Sequence, residues 1–218
     1  MTDTAPRPSV QPGEPAPDFT LPAVDREGSV SLADYRGKSP VLLALFRGLW
    51  CPFCRRAIAQ LGMAREKLQA LGVETLGIVA TTPENARRYV RFRPTRLPLA
   101  ADPGLITHRS YGLPKPAVTP ELMQGLQAVR ANPTGELPEP LPLPEAAKAL
   151  DRLHAFEPTQ TDREDFDRQF PQLKGQFLVD RGGIVRWMNI ECAKDGLAGL
   201  GKFPTEAEFV AAARALPN

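Results

Sequence analysis

Cys51-Pro52-Phe53-Cys54 sets two thiols one helical turn apart, where an apolar run gives way to an amphipathic one. Pro40 to Phe46 is uninterrupted apolar sequence of strand length, closed by Arg47 and Gly48, and reads as a buried strand of a parallel sheet. From Pro52 onward Leu61, Ala64, Leu68 and Leu71 recur at three and four residues among charged neighbours, which predicts a helix ending at Gly72. Proline is tolerated in a first turn because its missing N–H would have no intrahelical partner, so Cys51 falls at or beside the N-cap. Free backbone N–H groups and the positive end of the helix dipole then favour a thiolate. A thiol with a pKa near ~8.5 is about 3% ionised at pH 7, whereas one near ~6.5 is about three-quarters ionised. Cys54, on the same face and deeper in the helix, can reach back to close a disulfide. That asymmetry assigns Cys51 as attacking thiolate and Cys54 as resolving thiol.

Two other uses of the pair stay open on spacing alone. Cys-x-x-Cys is also metal-ligand spacing, and only Cys192, His108 and His154 could complete such a site; or the cysteines are simply buried. Cys192 is an alternative resolving thiol or a bystander. His108 and His154 sit on helical patterns, where surface or capping roles are expected.

These thiols have to be positioned by a fold of moderate size. The 218 residues suit one decorated domain, and a formal net charge of +2 gives no support to nucleic-acid binding. Arg87, Arg88, Arg91, Arg93 and Arg96 form the nearest approach to a basic cluster and read as a solvated face. No apolar run is long enough to span a membrane, and the polar, proline-rich start lacks the pattern of a secretory leader. Three cysteines, two of them in the close pair, suit a reducing compartment, with the cytoplasm as default.

The expected organisation is a mobile lead-in over residues 1–16 and one domain over 17–218. Val73 to Ala80 and Leu97 to Ala101 read as strands separated by a helix that Thr82 caps and Pro83 opens, giving the strand-helix alternation of a parallel sheet. That rhythm breaks between Pro114 and Pro144, where prolines crowd around helical patches at Glu121 to Arg130 and Glu145 to Phe156. With the polar run Gln160 to Arg168, this makes an insertion of about 114–172 that could serve as lid, dimer contact or spacer. Gly175 to Val179 and Ile184 to Ile190, around Asp180-Arg181-Gly182-Gly183, predict an antiparallel hairpin, and Pro204 to Leu216 a last amphipathic helix.

A Cys-x-x-Cys at a strand-to-helix junction, followed by a βαβ unit, a hairpin and a helix, resembles the thioredoxin-like arrangement. Four blocks narrow the resemblance: Ala16-Pro17-Asp18-Phe19-Thr20-Leu21-Pro22; Val30-Ser31-Leu32 through Tyr35-Arg36-Gly37-Lys38; Leu97-Pro98-Leu99-Ala100-Ala101-Asp102-Pro103 with Tyr111-Gly112; and Phe177-Leu178-Val179-Asp180 through Gly183-Ile184-Val185-Arg186. In this order they resemble the peroxiredoxin family, specifically its alkyl hydroperoxide reductase and thiol-specific antioxidant group, in a branch carrying Cys-x-x-Cys. The resemblance implies an α/β, thioredoxin-like fold with a central mixed sheet flanked by helices and a Pro-rich helical insertion. It implies a thiol peroxidase in which Cys51 attacks a hydroperoxide and becomes a sulfenic acid, Cys54 resolves it, and Arg186 stands close to the sulfur. A reducing dithiol protein, thioredoxin-like or glutaredoxin-like, is the implied partner; no metal or organic cofactor is implied, and there is room for a homodimer. A thiol-disulfide oxidoreductase acting on protein partners is the other reading. Two positions differ from the family pattern: the proline seven residues before the cysteine is Ala44 here, and the threonine three residues before it is Gly48. Trp50, directly before the pair, is a thioredoxin trait, although no proline stands at Lys174 or Gly175 and the nearest is Pro171.

Overall fold

A computed structural model describes residues 8–133 and 135–217. Among the described residues five strands form the central sheet: β3 (Val41–Phe46), β4 (Glu74–Val79), β5 (Leu99–Ala101), β8 (Gly175–Val179) and β9 (Val185–Ile190), in the order β5-β4-β3-β8-β9. β3, β4 and β5 run parallel, and β8 and β9 antiparallel, each to its neighbours. The sheet is therefore mixed, as expected. A small hairpin of β1 (Thr20–Pro22) and β2 (Ser29–Ser31) precedes it, and a second, β6 (Arg130–Ala131) with β7 (Leu141–Pro142), lies within the insertion.

β3 is buried on both faces because every residue in it is apolar and its side chains alternate between two cores. Leu42, Ala44 and Phe46 join α1 (Pro52–Gln69) and α7 (Glu206–Arg214) on one face. Val41, Leu43 and Leu45 join Tyr111, Phe177 and the β1–β2 hairpin on the other. The parallel crossovers are α1 between β3 and β4 and α2 (Pro83–Phe92) between β4 and β5. Thr82 caps α2 through the Asn85 N–H, with Pro83 in the first turn.

Residues 8–16 are docked, where the proline content led us to expect a mobile lead-in. Prolines lack donors, but Val10, Gly13 and Ala16 give their backbone N–H groups to Tyr111, Val185 and Gly183, and Val10 is buried in the second core. The rest of that expected lead-in, residues 1–7, lies outside the described residues.

The insertion is mostly helical. After α3 (Ile106–Ser110) come α4 (Pro120–Ala128), α5 (Leu143–Leu153) and α6 (Gln160–Gln169). The polar run expected over 160–168 is α6 itself, started by a capping box in which Thr159 and Asp162 satisfy each other's backbone N–H groups. Arg55 fastens the insertion to α1: its Nη2 donates to Asp151 Oδ1 at 2.5 Å, and its guanidinium stacks 3.6 Å from the Phe156 ring centroid. No helix among the described residues is long and apolar enough to cross a membrane.

Candidate active site

Cys51 is the N-cap of α1, with extended backbone angles, and Pro52 occupies the first helical position. Cys54 lies one turn inside, its N–H bonded to the Cys51 carbonyl at 3.1 Å. Both are free thiols and both are buried, but only Cys51 lines a cavity.

The register of the sheet decides what surrounds them. Leu45 pairs with Gly175, and Gly175 with Ile190. The residue after β3, the residue before β8 and the residue after β9 therefore meet at one end of the sheet, the end where α1 starts. They are Arg47, Lys174 and Glu191, with relative exposures of 6, 1 and 3%. Glu191 pairs with Arg47 Nη1 at 3.0 Å and Lys174 Nζ at 3.4 Å, and accepts the Gly201 N–H at 2.8 Å. Arg47 Nη1 also donates to the Gln172 carbonyl, and Lys174 Nζ to that of Gly201, each at 3.1 Å.

Burial alone would push the Cys51 thiol up. The hydrogen bond from Cys54 and the charges of Arg47 and Lys174 outweigh burial and the opposing Glu191, bringing Cys51 down to about 5. Cys54 moves the other way, raised by burial and by the neighbouring Cys51 sulfur. Glu191 is pushed up by burial, but Arg47 and Lys174 hold it below its ordinary range. One thiolate beside one thiol is the arrangement that attacks an electrophile and then closes a disulfide.

Arg186 is not in this cluster, contrary to its expected place beside the sulfur. It lies next to the β8–β9 turn, at the opposite end of β9 from Glu191, with about 13 Å of strand between it and Ile190. Its Nε donates to Asp180 Oδ2 at 2.6 Å and its side chain is 40% exposed. Because β9 runs antiparallel to β8, a residue early in β9 lies at the end of the sheet away from the N-terminus of α1. Arg47 is the arginine beside Cys51.

Gly48 stands where the family pattern has threonine, and a side chain has no room there. A Cβ would come within 2.6 Å of Trp50 Cδ1 and 3.0 Å of Gln169 Oε1. Gln169, fully buried, explains the tight fit: its Oε1 accepts from Gly48 N at 2.6 Å and Trp50 Nε1 at 3.0 Å, and its Nε2 donates to the Ala80 carbonyl. Gln169→Leu is expected to strand these groups and cost about 1–3 kcal/mol, read as a lower urea midpoint with altered Trp50 emission.

The cavity over Cys51 is about 1100 Å³. Trp50 and Phe53 line it beside the cysteine, the insertion contributes Met123, Leu126, Leu143 and Phe166, and Leu197 and Leu200 also line it. Trp50 and Phe166 meet edge-on with ring centroids 4.9 Å apart. Pro171, after a cis peptide bond, also lines it. Cys192 faces the same cavity, with burial and then Glu191 raising its thiol to about 11.

Neither histidine joins the thiols. His154 C-caps α5, as expected, and lies 3.3 Å from Glu136 Oε1. His108, expected in a surface or capping role, is instead fully buried, and burial brings its pKa down to about 4, which keeps the ring neutral. Among the described residues no three His, Cys, Asp or Glu side chains are grouped to hold a metal ion. Arg47, Lys174, Glu191 and Gln169 carried no sequence signal beyond their types, because they meet only through strand register.

A mixed five-stranded sheet with a Cys-x-x-Cys at the N-terminus of its first crossover helix defines a thioredoxin-like fold. The crystal structure of the peroxidoxin BcpB from Mycobacterium tuberculosis shares this fold, with a TM-score of 0.58 over 96% of this chain and 99% of that one at 13% identity. Residues 12–188 match the AhpC/TSA family, and the chain belongs to that family. A Mycobacterium tuberculosis protein named as a peroxiredoxin, Rv2521, is 33% identical over 95 residues, 42% of this chain and 57% of that protein. The thiol-disulfide oxidoreductase ResA of Halalkalibacterium halodurans is 30% identical over 102 residues, 46% of this chain and 56% of that protein. The chain thus spans about half the length of the curated relatives it matches.

Proposed function

We propose that this protein is a thiol peroxidase working through Cys51 and Cys54. The observation that carries the reading is a Cys51 thiolate held at a helix N-terminus among buried cations, one turn from a thiol. Cys51 attacks the outer oxygen of a hydroperoxide ROOH, the O–O bond breaks, and RO⁻ leaves to be protonated as ROH. The product is Cys51–SOH. Cys54 then attacks that sulfur, expelling the oxygen as water and forming the Cys51–Cys54 disulfide. A reducing dithiol protein of thioredoxin or glutaredoxin type, in a reducing compartment such as the cytoplasm, returns both thiols. Arg47 takes the part that the resemblance gave to Arg186: it lines the cavity with Cys51, and its guanidinium charge favours the thiolate and the negative charge that develops on the leaving oxygen.

The size and apolar lining of the cavity favour a second reading, thiol-disulfide exchange with a protein segment, since hydrogen peroxide needs far less room. Stopped-flow mixing of the reduced protein with hydrogen peroxide and with an alkyl hydroperoxide, followed through tryptophan fluorescence, separates the two. A peroxidase oxidises faster than free cysteine at the same pH. Oxidation no faster than free cysteine, together with reduction of insulin disulfides, would replace the peroxidase by the exchange enzyme.

A further inference from the structure

We propose that Lys174 and Glu191 are positioning residues that set the reduction potential of the Cys51–Cys54 couple through the charge they place beside it. The inference rests on that pair forming a reversible disulfide, and not on peroxide being its oxidant.

Arg47 and Lys174 are buried side chains that both pair with the buried Glu191 at the end of the sheet where α1 begins. Two positive charges and one negative leave the cluster with one positive charge in excess. An unbalanced charge in the protein interior is expensive, and an anion nearby offsets it. The other charged group facing the cluster from α1 is the Cys51 thiolate, while Cys54 from the same helix remains a thiol. Cys192, next along the chain from Glu191, also stays protonated, and His108, on the side of Phe46 and Arg47, is neutral. With the thiolate present the cluster sums to zero.

Oxidation removes that balance. In Cys51–S⁻ + Cys54–SH → Cys51–S–S–Cys54 + H⁺ + 2e⁻ the anion disappears as the sulfur–sulfur bond forms, the proton of Cys54 leaves, and the two electrons pass to the oxidant. The disulfide then faces one uncompensated positive charge that the dithiol did not. The cluster stabilises the reduced state relative to the oxidised one, which makes the disulfide a strong oxidant that dithiols reduce readily. Lys174 supplies the odd charge and Glu191 limits it, so the two act in opposite directions.

The experiment is equilibration of the full chain with reduced and oxidised glutathione, for wild type, Lys174→Met, Glu191→Gln and the double variant. Lys174→Met removes the excess charge and is expected to shift the equilibrium tenfold or more toward the disulfide, about 30 mV more negative. Glu191→Gln doubles the excess and should shift it by a similar factor toward the dithiol, while its amide oxygen still accepts the Gly201 N–H. The double variant restores one positive charge and should return to within about threefold of wild type. A structural role does not produce opposite shifts that cancel. Singles moving the same way or not at all, or a double variant no nearer wild type than either single, overturns the proposal. If Lys174→Met does not fold, the thiolate ultraviolet absorbance of reduced Glu191→Gln decides: it must titrate at lower pH than wild type. The peroxide test above is independent, since these potentials involve no peroxide; a wild-type chain that forms no Cys51–Cys54 disulfide with glutathione overturns both readings.

Discussion

Cys51→Ser is expected to abolish peroxide consumption, by at least ~10³-fold, while Cys54→Ser keeps the first oxidation and stops after one turnover. The asymmetry follows from position. Cys51 is the thiol that opens on the cavity and the one whose charge Arg47 and Lys174 favour, whereas Cys54 is enclosed and its thiol is pushed up. A serine at 51 offers no thiolate, so nothing remains to attack. A serine at 54 leaves the Cys51 sulfenic acid without its neighbour, and excess peroxide drives it to the sulfinic acid. Mass spectrometry of the peroxide-treated variants reads these states directly: two added oxygens on Cys51 in Cys54→Ser, and no Cys51–Cys54 disulfide in either. The pH profile carries the same mechanism. The rate of Cys51 oxidation should be flat from neutral pH down to about 6 and fall as pH drops through about 5, because protonation then removes the nucleophile. A free cysteine thiol, with a pKa near ~8.5, would instead still be gaining rate above neutrality. Equal multiple-turnover rates in wild type and Cys54→Ser would contradict the division of labour.

The parts of this site that were legible in the sequence are those written in local chemistry. Cys51 at the N-cap could be read because proline in a first turn, a strand-length apolar run before it and a 3.6-residue period after it all point to one boundary. The hairpin was equally plain, from two apolar runs around Asp180 and Gly183. Its consequence for Arg186 was not, since knowing that two strands pair does not say which end of the second one faces α1. Charged residues such as Lys174 and Glu191 ordinarily read as surface, and nothing local marks them as buried partners; only the register joining Leu45, Gly175 and Ile190 brings their neighbours together. The same holds for Gln169, whose value lies in reaching Gly48 and Trp50 from more than a hundred residues away. The insertion offered lid, dimer contact or spacer, and α4, α5 and α6 wall the cavity because Arg55 and the caps of its helices fix them there.

Two arginines with opposite expected phenotypes test where the electrostatics of the site reside. Arg47→Met removes one cation from a buried ion pair and leaves Glu191 with Lys174 alone, along with an unmet Gln172 carbonyl. Glu191 keeps Lys174 and the Gly201 N–H, so the cost is chiefly the stranded Gln172 carbonyl and one lost charged hydrogen bond, about 1–3 kcal/mol. The Cys51 thiolate loses the cation that favours it most as well, so its pKa should rise and its oxidation at neutral pH slow. Arg47→Lys separates the two effects. It keeps the charge, and so should retain most of the thiolate at neutral pH, but a single ammonium cannot reproduce the fork that reaches Glu191 and Gln172 together, so stability should still fall. Arg186→Ala, by contrast, removes one half of an exposed pair with Asp180, for which the expected cost is at most ~1 kcal/mol. Asp180 keeps the Ile184 N–H at 2.9 Å, so the turn survives, and the Cys51 oxidation rate should not change. Denaturant midpoints and stopped-flow rates for the three variants check this ordering. If Arg186→Ala slowed Cys51 oxidation and Arg47→Met did not, the charge that activates the sulfur would have to come from the far end of β9, against the register that places Arg47, Lys174 and Glu191 beside it.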